Sequence, residues 1–260
     1  MRTRRPTLLC ALVATLVVGF VMPGAAQAKS SGPKSVAVKP VKVARYSFEL
    51  VAVGQSNGSD TAVIQLRLSD LGFWVKDVNG VYDFSTKQAV MAFQKYNKLV
   101  PTGSVDDKTA VALAAPQHKA VGITDGGRGY ADDVVEVDKA RQLMFVVRGG
   151  VTVMTLNVST GNDKPYEEPD ANTPNVMLRG VSITPVGRFR VQRLRPDGWW
   201  VGDMGSIYRP VYFKGGIAVH GSIVVPAYPA SHGCVRVSVM AMDELWNMNV
   251  LARGAKVWVY

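Results

Sequence analysis

The sequence predicts two domains, a small three-helix bundle followed by a mostly β, β-sandwich-like domain with one main helix near its end. Apolar residues recur at helical spacing between residues 59 and 115. The period then changes to strand-like alternation from residue 131, and a stretch bearing Pro116, Gly126 and Gly127 separates the two regimes. With 260 residues, each domain has enough chain to bury its own core. A composition of 47% hydrophobic and 19% charged residues excludes a disordered chain. The formal charge of +10 comes from scattered Lys and Arg with no basic run, so no nucleic-acid partner is expected. Such a diffuse positive surface suits weak attraction to anionic wall polymers and membrane surfaces.

The elements follow in order. Arg2, Arg4 and Arg5 precede an apolar stretch from Thr7 to Met22 and the small-residue ending Ala26-Gln27-Ala28. This pattern reads as a secretory signal over residues 1–28. The apolar stretch is shorter than the roughly 20 residues of a spanning helix. Cleavage after Ala28 is therefore expected, with a retained membrane anchor as the alternative, and the destination is the cell wall or a periplasm-like space. Residues 29–58 read as a basic linker with a short strand at Ser47–Val53. Within 59–115, Asp60 is placed to cap a helix carrying Ile64, Leu68 and Leu71, which Gly72 ends. Ser85 to Gln88 reads as a capping box opening a helix that buries Ala89, Val90 and Phe93. Asp106 is placed to cap a third helix carrying Ala110, Val111 and Leu113. Residues 116–130 read as a linker, with His118 solvated.

The second domain, 131–260, opens with strands at Asp133–Asp138 and Gln142–Arg148, the latter with Leu143, Phe145 and Val147 on one face. Gly149-Gly150 turns the chain into a third strand, Val151–Ser159. Residues 162–183 read as a long polar loop over or beside a cleft, its acidic cluster read as solvated, with attraction of an amine-bearing group as the alternative. Further strands are expected at Phe189–Leu194, Ile207–Phe213, Gly216–Val219 and Ala255–Tyr260. A helix from Val239 to Asn249, capped by Ser238, buries Ala241, Leu245 and Met248.

The chemistry concentrates in His220-Gly221-Ser222 and Ser231-His232-Gly233-Cys234-Val235-Arg236. Cys10 lies in the signal, so Cys234 is the one cysteine of the processed chain, and an unpaired cysteine in an exported protein must pair, hide or react. Two of the three histidines lie close to it in sequence. A free thiol is mostly protonated at neutral pH and needs a neighbouring base or cation to become a nucleophile. Gly233 allows a sharp bend before the sulfur, and amides of such a turn can face a developing oxyanion. A zinc site from His220, His232 and Cys234 would need a further ligand, so no metal is expected.

These residues resemble a known family. Ser-His-Gly-Cys-Val-Arg at 231–236 with His-Gly at 220–221 resembles the signature of the L,D-transpeptidase (YkuD-type) catalytic domain. Flanking matches are Ser159-Thr160-Gly161, Thr184-Pro185-Val186-Gly187 and the closing Gly254 to Val259. Residues 59–115 resemble the peptidoglycan-binding-domain family through Leu71-Gly72, Gly80 to Asp83, Phe93-Gln94 and Thr102-Gly103. The resemblance implies Cys234 as nucleophile, His220 as the base holding it as a thiolate–imidazolium pair, and His232 and Gly233 lining the turn. The amides of His232, Gly233 and Cys234 are the implied oxyanion donors, and the His232 side chain is read as structural within the turn. Arg236, Ser231, Ser222 and Tyr212 are the substrate-binding candidates, with Ser222 also placed to orient the imidazole. The implied reaction joins third residues of neighbouring peptidoglycan stems with loss of D-Ala, needs no cofactor, and leaves Cys234 open to carbapenems. A monomer is expected. Hydrolysis of the same thioester (an L,D-carboxypeptidase) and a non-catalytic wall-binding protein are the rival readings; a papain-like peptidase fails because it places cysteine before histidine.

Overall fold

Three helices open the described part of the chain, which in this computed structural model comprises residues 50–125 and 133–260. The signal at 1–28, the linker and residues 47–49 of the expected first strand lie outside it, and residues 50–53 form no strand. Helix α1 (Ser59–Asp70) begins after Gly58, whose φ of 145° suits glycine and which has no side chain to cap with. Asp60, expected as the cap, stands instead in the first turn, where its charge complements the helix dipole. Helix α2 (Phe84–Tyr96) is capped by Asp83, which accepts from the Thr86 amide; the expected Ser85–Gln88 capping box does not form. Helix α3 (Asp107–Ala114) is capped by Asp106. Ile64, Leu68, Phe93 and Leu113 are wholly buried, whereas Val111 is 72% exposed.

The strands are β1 (Val134–Asp138), β2 (Leu143–Arg148), β3 (Val151–Asn157), β4 (Pro165–Pro169), β5 (Met177–Val181) and β6 (Gly187–Arg190). They continue as β7 (Arg193–Leu194), β8 (Trp199–Gly202), β9 (Gly205–Lys214), β10 (Ile217–Ser222) and β11 (Val235–Ser238). Helix α4 (Val239–Asn247) and β12 (Lys256–Val259) follow. One sheet runs β3-β2-β1-β12-β6 and the other β11-β10-β9-β7, with β8 also on β9. The two sheets face each other across one core: Val135, Val137 and Met144 from the first meet Val211, Phe213 and Val219 from the second. Helix α4, capped by Ser238, closes that core with Ala241, Met242 and Leu245, while Met248 caps its end and is only partly buried. This is a β-sandwich.

Three sequence expectations change. The Phe189–Leu194 segment is not one strand: Val191 donates to Ala255 of the first sheet and the next residue, Gln192, to Tyr212 of the second, so the chain crosses between layers there. Residues 162–183 are not an unstructured loop, since β4 and β5 pair from Pro165↔Val181 to Pro169↔Met177. Residues 116–125 are packed rather than free: the Ala120 amide donates to Leu71, and the Ile123 and Thr124 amides donate to the fully buried Glu136.

The first sheet is covered on both sides. Met144 and Val146 face the sandwich core, and Leu143 and Phe145 face Leu68, Phe73 and Phe93 of the helical part. That is why β2 is buried at five successive positions instead of alternating. Two side chains of α2 reach further. Gln88 Nε2 donates to Val225 O at 3.1 Å, and Lys95 Nζ donates to Gln142 O at 3.0 Å and to Asn157 Oδ1. The bundle and the sandwich are thus in direct contact next to the segment that leads to Cys234.

Candidate active site

Strands β10 and β11 are parallel, with Val219 opposite Val235 and His220 opposite Arg236. Side chains alternate across a strand, and Val219 and Val235 belong to the core, so His220 and Arg236 face outward. Ala218 and Cys234, one residue earlier on each side, share that outer face. Cys234 is therefore the diagonal neighbour of His220 and the same-strand neighbour of Arg236, a spacing that long side chains bridge. The sheet, rather than the sequence proximity of these residues, brings them together.

A web of hydrogen bonds fixes the turn before Cys234. Ser231 Oγ accepts from the Gly233 amide at 3.1 Å and donates to Cys234 O. Thr184 Oγ1 accepts from the Gly161 amide at 2.9 Å and donates to Gly233 O at 2.6 Å. The Ala230 and Ser231 amides both donate to Thr160 O. Gly233 has φ of 132°, and a Cβ there would stand 2.7 Å from Ile183 O, so this position requires glycine. Ser159 exchanges backbone bonds with Arg236 at 3.1 and 2.9 Å. The Ser159-Thr160-Gly161 and Thr184-Pro185 stretches are therefore braces of the turn, and Thr184 is a site residue the sequence reading did not single out.

The site's charges differ from the sequence expectation. Burial lowers the pKa of His220 to about 4, despite the Gly221 carbonyl that favours its protonation, and the Arg236 cation lowers it further. Burial pushes the Cys234 thiol up, against the Ala218 amide and the Arg236 cation, which pull it down. The substrate-free pair is thus held as neutral thiol and neutral imidazole, not as a thiolate–imidazolium pair. Among the described residues, Sγ has a hydrogen-bond contact with Gly216 O at 3.8 Å and none with His220. His220 Nδ1 lies 2.9 Å from Gly221 O. A carbonyl only accepts, so Nδ1 carries the proton and Nε2 keeps its lone pair, the tautomer a general base needs. Hydrogen bonds of this kind are often long without substrate and close only when it binds.

The remaining candidates divide. Ser231 is 2% exposed and its hydroxyl is used inside the turn, so it has nothing to offer a ligand. Ser222 closes its own turn with Val224 and does not touch the imidazole. The Gly233 amide is committed to Ser231, which leaves the amides of His232 and Cys234 as candidate oxyanion donors. His232 is not bonded within its turn: Nε2 lies 3.0 Å from Glu168 Oε1, and the ring meets Tyr166 edge-on at 4.9 Å. Glu168 and Tyr166 of β4 thereby hold the β4–β5 hairpin against the nucleophile turn; their acidic, aromatic composition was the one sequence signal for them. Arg236 is half-buried and has neither ion pair nor side-chain hydrogen bond among the described residues. Tyr212 stands opposite Ala218 on the same outer face, and burial raises its pKa.

No three His, Cys, Asp or Glu among the described residues are grouped to hold a metal ion. A cavity of about 440 Å³ lined by Thr124, Phe189 and Trp258 lies on the first sheet and contains none of these residues, so its size does not make it the reactive site. What the outer face of β10 and β11 offers is a thiol, a neutral base with its lone pair on Nε2, a half-buried cation and two turn amides.

The sequence matches two families: residues 132–259 the L,D-transpeptidase catalytic domain (YkuD), and residues 57–113 the peptidoglycan binding domain. Among solved structures, the chain is similar to the L,D-transpeptidase (residues 123–326) of Xylanimonas cellulosilytica. The two share 37% identity over 82% of this chain and 98% of that one, with a TM-score of 0.69. An L,D-transpeptidase of Stackebrandtia nassauensis shares 19% identity over 78% of this chain and 92% of that one, with a TM-score of 0.41, too distant to bear on the chemistry. No curated protein matches the chain.

Proposed function

Since the chain belongs to the L,D-transpeptidase family, we propose that it is exported and cross-links peptidoglycan stems through a thioester on Cys234. The observation that carries this reading is the shared outer face of β10 and β11, where Cys234, His220 and Arg236 are neighbours on paired strands. The steps follow from the groups present. As Sγ attacks the carbonyl of the third stem residue, its proton passes to His220 Nε2. The oxyanion is met by the amides of His232 and Cys234. The imidazolium then gives its proton to the departing D-Ala nitrogen, the C–N bond breaks, and a thioester remains. The side-chain amine of a neighbouring stem attacks that thioester, the C–S bond breaks and the thiol regains its proton. The thioester retains the energy of the peptide bond, so no cofactor enters.

A neutral resting pair fits this sequence. A thiol and an imidazole that ionise only when substrate arrives keep the sulfur from reacting with unrelated electrophiles, at the cost of a slower first step. Carbapenems, as strained acyl donors, acylate the same sulfur in this reading. The helical part, which matches the peptidoglycan binding domain, holds the chain on its polymeric substrate.

Product analysis tests the proposal. Residues 29–260 incubated with disaccharide-tetrapeptide yield dimers joined between third residues and free D-Ala. Tripeptide without dimers makes the protein an L,D-carboxypeptidase. Wall binding with unchanged tetrapeptide leaves a binding protein.

A further inference from the structure

The outer face of the second sheet carries more than the thiol and its base. Arg193 of β7 stands opposite Tyr212 of β9, and Tyr212 opposite Ala218 of β10, so one transverse row runs from Arg193 to the neighbour of Cys234. The Arg193 guanidinium lies 3.9 Å over the Tyr212 ring. Arg195 continues the alternation past the end of β7, with its amide bonded to Pro210 O and its guanidinium 3.7 Å over the ring of Trp200. Both cations are thus stacked over aromatic rings.

Neither arginine is neutralised. No carboxylate lies within ion-pair distance of either among the described residues. Asp203 is the acid whose charge reaches Tyr212, alongside the charges of Arg193 and Arg195. Its side chain is engaged at long range with Asn172 Nδ2, 3.5 Å away. Arg195 Nε is buried without a hydrogen-bond partner. A buried N–H left unmatched costs about 1–3 kcal/mol, so such a group calls for an acceptor that the chain does not supply. A planar guanidinium with an open edge takes a carboxylate in two parallel hydrogen bonds.

We propose that Arg193 and Arg195, stacked on Tyr212 and Trp200, form a carboxylate subsite for the acyl-donor stem, on the side away from the leaving residue. The identity of the ligand rests on the cross-linking reading; the anion site itself does not. Tyr212 is two strand spacings, about 10 Å, from Cys234. Two extended residues span about 7 Å and a hydrogen bond adds about 3 Å, so a free carboxylate on the second stem residue reaches this strip when the third residue's carbonyl is at Sγ. The terminal carboxylate of the leaving residue, one residue length from the scissile bond, falls short of it. Arg236, beside Cys234, is the cation at that shorter distance. The strip thus selects stems by the charge of the second residue.

The test compares two tetrapeptide stems, one with the second residue's carboxylate free and one with it converted to the amide. The wild type is expected to prefer the free acid by about tenfold in kcat/KM, the equivalent of one well-placed charged contact. Arg193→Gln/Arg195→Gln abolishes the preference, and Arg195→Lys, which keeps the charge, retains most of it. A preference unchanged in the double variant, or equal losses on both stems, overturns the proposal. If neither stem acylates the wild type, the cross-linking reading fails, and alkylation of Cys234 then decides the strip alone. The rate ratio of anionic iodoacetate to neutral iodoacetamide is expected to fall by about threefold in the double variant. An unchanged ratio overturns the anion site.

Discussion

At the scale of single residues, the account turns on His220. Its pKa is lowered by burial to about 4, whereas in the unfolded chain it returns to the ordinary value of 6.5. Between those values the unfolded chain binds a proton that the folded chain refuses, so stability falls as pH drops through this window and levels off below it. The loss amounts to about 3 kcal/mol, measurable as a shift of the urea midpoint between pH 7.5 and 4 that His220→Gln does not show. For activity, His220→Gln is expected to slow acylation by about 10²–10⁴-fold with the fold intact. The raised thiol makes a separate prediction: without substrate, alkylation of Cys234 by iodoacetamide keeps accelerating above the ordinary thiol range. A plateau near neutral pH would instead reveal a resting thiolate. The sequence made the thiol and its histidines legible because an unpaired cysteine beside His-Gly is rare. Their protonation was not legible, since it depends on burial and on Arg236, which the parallel register places opposite His220.

At the scale of elements, helix α2 does more than fill the bundle. Gln88 was read as a capping partner from its spacing to Ser85, but Asp83 takes the cap two residues earlier. Gln88 then spans two domains, accepting from Asn157 Nδ2 at 2.6 Å and donating to Val225 O. Gln88→Ala leaves both groups unmatched and is expected to cost about 1–3 kcal/mol. Val225 lies on the segment that carries Ser231 and Cys234, so the same variant is expected to lower kcat more than it raises KM, which steady-state kinetics on tetrapeptide would read. The β4–β5 hairpin was missed as structure for a different reason. Its residues are polar and mostly exposed, so no apolar alternation announces the pairing. Its acidic residues were legible as a feature of the cleft, and Glu168 is indeed at the nucleophile turn, on His232.

At the scale of the whole molecule, the described residues, 50–125 and 133–260, form one compact unit. The reason is β2: Phe145 and Leu143, which alternation identified as one buried face, are buried against the helices and not against the second sheet. Sequence periodicity says that a face is apolar but not what covers it, so two domains were readable while their shared core was not. Calorimetry is expected to record a single transition for the bundle and sandwich together, and two separate transitions would contradict the shared core. Phe145→Ala is expected to cost about 3–5 kcal/mol, felt by both parts at once. The same coupling places the helix bundle, which matches the peptidoglycan binding domain, directly behind the segment that leads to the reactive turn.

The central claim is that Cys234 forms the acyl-enzyme, and intact-mass spectrometry of the protein after brief exposure to disaccharide-tetrapeptide tests it most directly. One added mass is expected, equal to the substrate less D-Ala, localised to Cys234 and absent from Cys234→Ala. An adduct that persists in Cys234→Ala, or none on a wild-type protein that still releases D-Ala, would contradict it.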